Sequence, residues 1–131
     1  MSAAGTAASA VSATDAALDA LATSMPVTDA DRADVSQIVV AVESLLIESG
    51  YSLSDDRRLA LAAHSLAFSQ RIRAHEKLPE IDLNDFPEIP EETVAGLRNA
   101  LTPYCARHDS EFHDEEVLLF AMHFEVARIA P

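Results

Sequence analysis

Two histidines draw attention because each lies inside an apolar helical pattern rather than in a polar loop. His64 sits within LAAHSLAFSQR, and His123 within EEVLLFAMHFEVAR. Arg57, His64 and Arg71 follow one another at seven-residue steps. At about 100° per residue these three project from one narrow stripe of a helix, with His75 close to it. An imidazole between two guanidinium groups suits a phosphoryl group, because neutral imidazole is a nucleophile near physiological pH and Arg pairs with phosphate oxygens in bidentate fashion. The plainer reading is a partly buried histidine whose neighbouring arginines reach water.

His123 has Glu116 seven residues before it, on the same side of its helix and two turns away. A carboxylate there can orient an imidazole through another side chain or accept a hydrogen bond from a neighbouring helix. Taken alone, a core histidine satisfied by a backbone carbonyl explains the position better than a functional one. His75, His108 and His113 fall at expected helix ends or in a loop, where exposed histidines are ordinary. Cys105 is expected to be a small helix residue, buried or half-buried.

The elements that must position these residues follow from hydrophobic spacing. Thr28 is a sensible cap, and Val35, Ile38, Val39, Val42, Leu45 and Leu46 mark one buried face of a helix that runs to Glu48 or Ser49, where Gly50 stops it. Ser54 caps a second helix that extends to about His75, with Leu59, Ala62, Ala63, Leu66 and Ile72 inward and Leu61 and Phe68 widening the stripe. Residues 76–92 are acidic and broken by Pro79, Pro87 and Pro90, so they read as a connector, pinned by Ile81, Leu83, Phe86 and Ile89, with a short helical turn possible around Leu83 to Phe86. Pro90 opens a third helix with Val94, Leu97, Leu101 and Tyr104 on its inner face and a kink expected at Pro103. The last helix starts near His113 or Asp114 and reaches about Ile129, its stripe being Leu118, Leu119, Met122, Val126 and Ile129, broadened by Phe120 and Phe124.

Residues 1–27 are rich in Ala, Ser and Thr, so they read as a flexible tail ahead of a single domain over 28–131. Within the tail, Leu18 and Leu21 give Thr14 to Thr23 some helical character, but so short a helix is marginal unless it docks. The expected fold class is therefore all-α, a compact bundle of about four to five helices. An aromatic fraction of 5% without Trp points the same way, since the core must be built mainly from Leu, Ile, Val and Ala.

Charge and cysteine content narrow the partners. A net charge of −13, from 22 acidic against 9 basic side chains, disfavours direct binding to a nucleic-acid backbone, and no Lys or Arg precedes Arg32. A protein partner or a small ligand is the better expectation. The single cysteine fits a reducing, cytoplasmic setting, and neither a secretory signal nor a membrane-spanning run is apparent. A metal-dependent helical enzyme is a competing reading, given His64, His75, His123, Glu116 and Glu125 as ligand types. However, the Glu-x-x-His signature of carboxylate-bridged bundles is missing, because Leu61 and Phe120 stand three residues before His64 and His123. No metal or other cofactor is therefore expected.

Considered together, the two histidine segments resemble a known family. From about Leu59 to Ile129 the chain is similar to the PTS-regulation domain of bacterial carbohydrate-responsive regulators, of which small single-domain members exist. In that family a helical His is followed seven residues later by Arg, as in HSLAFSQR from His64 to Arg71. An acidic residue, an apolar run and a second His come near its C-terminal end, as in EVLLFAMH from Glu116 to His123. The interval from His64 to His123 is also the one that the family pattern calls for.

The resemblance implies an all-helical bundle that dimerises and whose histidines accept phosphate from the sugar phosphotransferase system. The donor would be the histidine phosphocarrier protein or a sugar-specific enzyme IIB component. Carried onto this chain, His64 and His123 would be the phosphoacceptors, with Arg71, Glu116 and Arg57 supporting the pocket. The chain would then receive phosphate rather than act as an enzyme. The alternative from another class is a structural dimerisation or adaptor module, in which the broad apolar helix faces do the work and the histidines are core residues.

Overall fold

Helix signals written in the sequence reappear as local hydrogen bonding. Thr28 caps a helix over Asp29–Glu48, its Oγ1 accepting from the Asp31 amide at 3.0 Å while Asp31 Oδ2 accepts from the Thr28 amide at 3.0 Å. This reciprocal pair satisfies two amide donors that a helix start otherwise leaves open. Ser54 caps the helix over Asp55–Arg73 by accepting from the Arg57 amide at 3.2 Å. In this computed structural model the backbone is described for residues 3–78 and 88–129, and the side chains for residues 13–78 and 88–127.

Five helices follow in chain order: α1 Ala3–Ala22, α2 Asp29–Glu48, α3 Asp55–Arg73, α4 Glu91–Arg107 and α5 Asp114–Ile129. No strand occurs among the described residues. They form a bundle in which α2 packs against α1, α3 and α4, while α5 packs against α3 and α4. The main apolar core draws on all five of these helices, from Leu18 of α1 through Ile38, Leu66 and Leu101 to Phe120 of α5, and Leu46, Phe124 and Ala127 form a smaller cluster between α2 and α5. The fold is thus the expected all-α bundle, with five helices among the described residues.

Three helices end in the same way. After α2, the Gly50 amide donates to the Ile47 carbonyl at 3.0 Å and the Tyr51 amide to the Leu46 carbonyl at 3.0 Å. Equivalent bonds follow α3, from His75 to Ile72 and Glu76 to Arg71, and α4, from Asp109 to Ala106 and Ser110 to Cys105. The motif requires a left-handed residue, which Gly50 supplies with φ 86° and no side-chain penalty. His75 at φ 55° and Asp109 at φ 53° fill the same role, so His75 terminates α3 rather than extending it.

The segment 1–27 departs from the tail expected of it. Helix α1 docks on α2 and α3, burying Thr14, Ala17, Leu18 and Leu21. The sequence has few bulky residues here because small ones suffice where a helix lies close against two others. Docking supplies the stability that a short isolated helix lacks.

Two inner faces also differ from the expected ones. In α3, Leu61 and Phe68 are core residues whereas Leu59 is exposed. In α5, Val117, Phe120, Ala121, Phe124 and Ala127 point inward, leaving Met122 and Val126 exposed. Pro90 is the N-cap of α4 rather than its first helical residue, and Pro103 lies inside that helix. The helical turn expected around Leu83 to Phe86, and the anchoring there by Ile81, lie outside the described residues; Ile89 does pack on the core.

The α2–α3 contact contains a buried ion pair. Arg58 Nη2 donates to both carboxylate oxygens of Glu43 at 3.0 and 2.9 Å, and its Nε donates to Oε2 at 3.1 Å. The same guanidinium reaches Asp55 Oδ1 at 2.9 Å and the Leu53 carbonyl at 3.1 Å. Glu43 is thereby satisfied inside the bundle, and the facing registers of α2 and α3 are tied. At the other end of α3, Arg73 pairs with Asp31 and Asp34 of α2.

Candidate functional site: a stacked histidine pair

The apolar face of α5 turns one helical side against α3, and that contact brings His64 and His123 together. Their rings stack, with centroids 5.0 Å apart and planes 25° from parallel. Phe120, one turn before His123, meets His64 edge-on at 4.5 Å. Phe120 in turn contacts Phe68 at 5.0 Å, and Phe68 contacts Tyr104 at 6.0 Å. An unbroken series of rings therefore runs from the histidine pair into the core, which fixes the rotamers of both imidazoles.

Burial and neighbouring charge keep both rings neutral. For His64, burial lowers the pKa from 6.5 to about 3, helped by coulombic repulsion from His123 and Arg71. For His123, burial again lowers the value, followed by the charge of Arg57. Neutral rings can stack without repulsion and keep a nucleophilic lone pair at physiological pH. Nε2 of His64 is sealed from solvent and has no hydrogen-bond partner.

The two arginines of the seven-residue stripe take different places. Arg71 makes a two-point ion pair with Glu116, Nε to Oε2 at 2.9 Å and Nη2 to Oε1 at 2.7 Å, joining α3 to α5. Glu116 is buried there. Arg57 instead lines a groove with His123, together with Leu46, Leu53, Ala60, Leu119, Met122 and Val126. The groove has a volume of about 220 Å³, is largely apolar and opens to solvent.

The side chains singled out by spacing divide between a cross-helix contact and a groove. Two separate contacts join α3 to α5, His64 with His123 and Arg71 with Glu116, while the open groove lies beside Arg57 and His123. The Arg71–Glu116 pairing spans 45 residues of chain and has no local signal. His75 is remote in role, its Nδ1 lying 3.1 Å from Ser110 Oγ at the end of α3. Cys105 is buried, and burial pushes its thiol up to about 11, with the Glu116 carboxylate adding to the shift. Among the described residues, no three His, Cys, Asp or Glu side chains gather in the way a metal ion requires.

Fold and site together define an all-α bundle carrying a neutral, stacked histidine pair beside a largely apolar groove that Arg57 lines. No protein-family model matches this chain, and no match was found among curated proteins or solved structures. Among the described residues, no helix is long and apolar enough to cross a membrane.

Proposed function

We propose that this chain is a phosphorylation-responsive regulatory module that accepts phosphate on its histidine pair and signals through a protein partner or its own dimer. The observation that carries the reading is the stacking of His64 on His123, which joins two motifs far apart in the chain. Phosphoryl transfer needs a neutral nitrogen, in-line approach and compensation of negative charge. Depressed histidine pKa values supply the first, the solvent-open groove permits the second, and Arg57, which lines that groove beside His123, supplies the third.

The reading extends the resemblance to PTS-regulation domains, with the histidine phosphocarrier protein or an enzyme IIB component as donor and a cytoplasmic setting. Exposed Met122 and Val126, one turn apart on α5 at the groove's edge, offer apolar surface for a second copy. A new phosphoryl group beside that surface would shift the charge balance of such an interface.

The test is incubation with enzyme I, the phosphocarrier, an enzyme IIB component and phosphoenolpyruvate. An acid-labile phosphoryl label is expected on the wild-type chain and absent from the His64→Ala/His123→Ala double variant. Absence of label with every donor would leave the dimerisation or adaptor reading in its place.

A further inference from the structure

We propose that His123 is the acceptor a phosphoryl donor reaches in this fold, with Arg57 as its charge-compensating partner, and that His64 is a positioning residue. This rests on the histidine-phosphorylation reading above and assigns different work to its two rings.

Both rings are half-buried, and their place relative to the groove separates them. His123 lines the solvent-open groove in company with Arg57, and His64 does not. The ring of His64 is held between the face of His123 and the edge of Phe120, and its Nε2 is closed to solvent. In-line transfer places phosphorus about 3 Å from the attacking nitrogen, with the leaving group on the far side. That space does not exist at Nε2 of His64 unless α5 parts from α3. At His123 it is provided by the groove.

Charge separates them as well. The field of Arg57 falls on His123, where a cation that opposes ring protonation also stabilises the oxygens of an incoming phosphoryl group. Arg71 is engaged in its two-point bond to Glu116, so recruiting it to a phosphoryl group would leave a buried carboxylate without its partner. His64 contributes shape: a flat neutral ring that keeps His123 turned toward the groove.

In the step itself, the lone pair of one His123 nitrogen forms the new N–P bond as the P–N bond of the donor breaks. The released electron pair leaves on the donor nitrogen. With phosphoramidate that product is ammonia, which departs with the hydrogens already on its nitrogen, while the second His123 nitrogen keeps its own.

The experiment maps the modified residue at alkaline pH by tandem mass spectrometry, after treating the whole chain with phosphoramidate and, separately, with the phosphorylated histidine phosphocarrier. Label is expected on His123 of the wild type and lost in His123→Ala. His64→Phe, which keeps a flat ring against His123, should stay labelled, whereas His64→Ala should label more slowly. Arg57→Gln should slow labelling by about tenfold or more, the loss of one hydrogen bond to a charged group. Label found on His64 of the wild type, or label that survives His123→Ala and disappears in His64→Phe, overturns this division while leaving the histidine-phosphorylation reading intact. No label on either ring with either donor overturns both. Because the wild type alone reports the site, the outcome does not depend on any variant folding.

Discussion

Replacing Arg58 by Met should lower the unfolding free energy by about 3–5 kcal/mol, because it strands the Glu43 carboxylate inside the α2–α3 contact. Side-chain exposure is 10% for Arg58 and 4% for Glu43, so neither charge has water to fall back on. The loss would come mainly from the uncompensated anion rather than from the attraction removed. The double variant Arg58→Met/Glu43→Leu should therefore recover most of it, since apolar residues of similar volume often replace a buried pair at little cost. Urea unfolding of the single and double variants measures both. A single-variant loss below about 1 kcal/mol, the range of an exposed ion pair, would mean that water reaches Glu43.

The second large effect is expected from Leu18→Ala, at about 2–5 kcal/mol. Leu18 is fully buried beneath α1, against core contributed by α2 and α3. Were residues 1–27 an undocked tail, the same substitution would leave stability unchanged. Thermal or urea unfolding distinguishes the two outcomes. Asp19→Ala, which removes only an exposed ion pair to Arg32, serves as the comparison and should cost less than about 1 kcal/mol.

These two sites show where sequence reasoning reaches its limit. Arg57 and Arg58 are adjacent in the chain, and a turn of about 100° sends one to the groove and the other to a buried carboxylate. Nothing local says that Glu43 awaits on α2. Helix α1 was hidden for a related reason: its inner face is Thr14, Ala17, Leu18 and Leu21, too small in bulk to stand out without the partners that cover it.

Other features were legible because the signal is local. The cap at Thr28, the stop at Gly50, and the Val35, Ile38, Val39, Val42 and Leu46 face of α2 all follow from spacing and turn chemistry, and the buried residues match. Helix α5 was harder. It is apolar around most of its circumference, so periodicity alone could not choose between the side carrying Met122 and Val126 and the side carrying Phe120 and Phe124. Packing against α3 and α4 buries the second side and leaves the first at the groove.

The candidate site follows the same rule. Residue types and seven-residue steps singled out His64, His123, Arg57, Arg71 and Glu116, and four of these pair across α3 and α5, His64 with His123 and Arg71 with Glu116. Which arginine faces the open groove depends on how the helices are rotated against each other. Local spacing carries no information about that rotation, and so the pairing of Arg71 with Glu116 had to be seen.

The proposed chemistry depends throughout on two uncharged imidazoles lying face to face across α3 and α5. Nitrogen-15 NMR titration of the five histidines, combined with inter-ring proton cross-relaxation, measures that state directly. The account predicts that His64 and His123 stay neutral as pH falls through 6.5, that His64 resists protonation to about 3, and that cross-peaks connect the two rings. Ordinary titration of both near 6.5 with no inter-ring contact would contradict it.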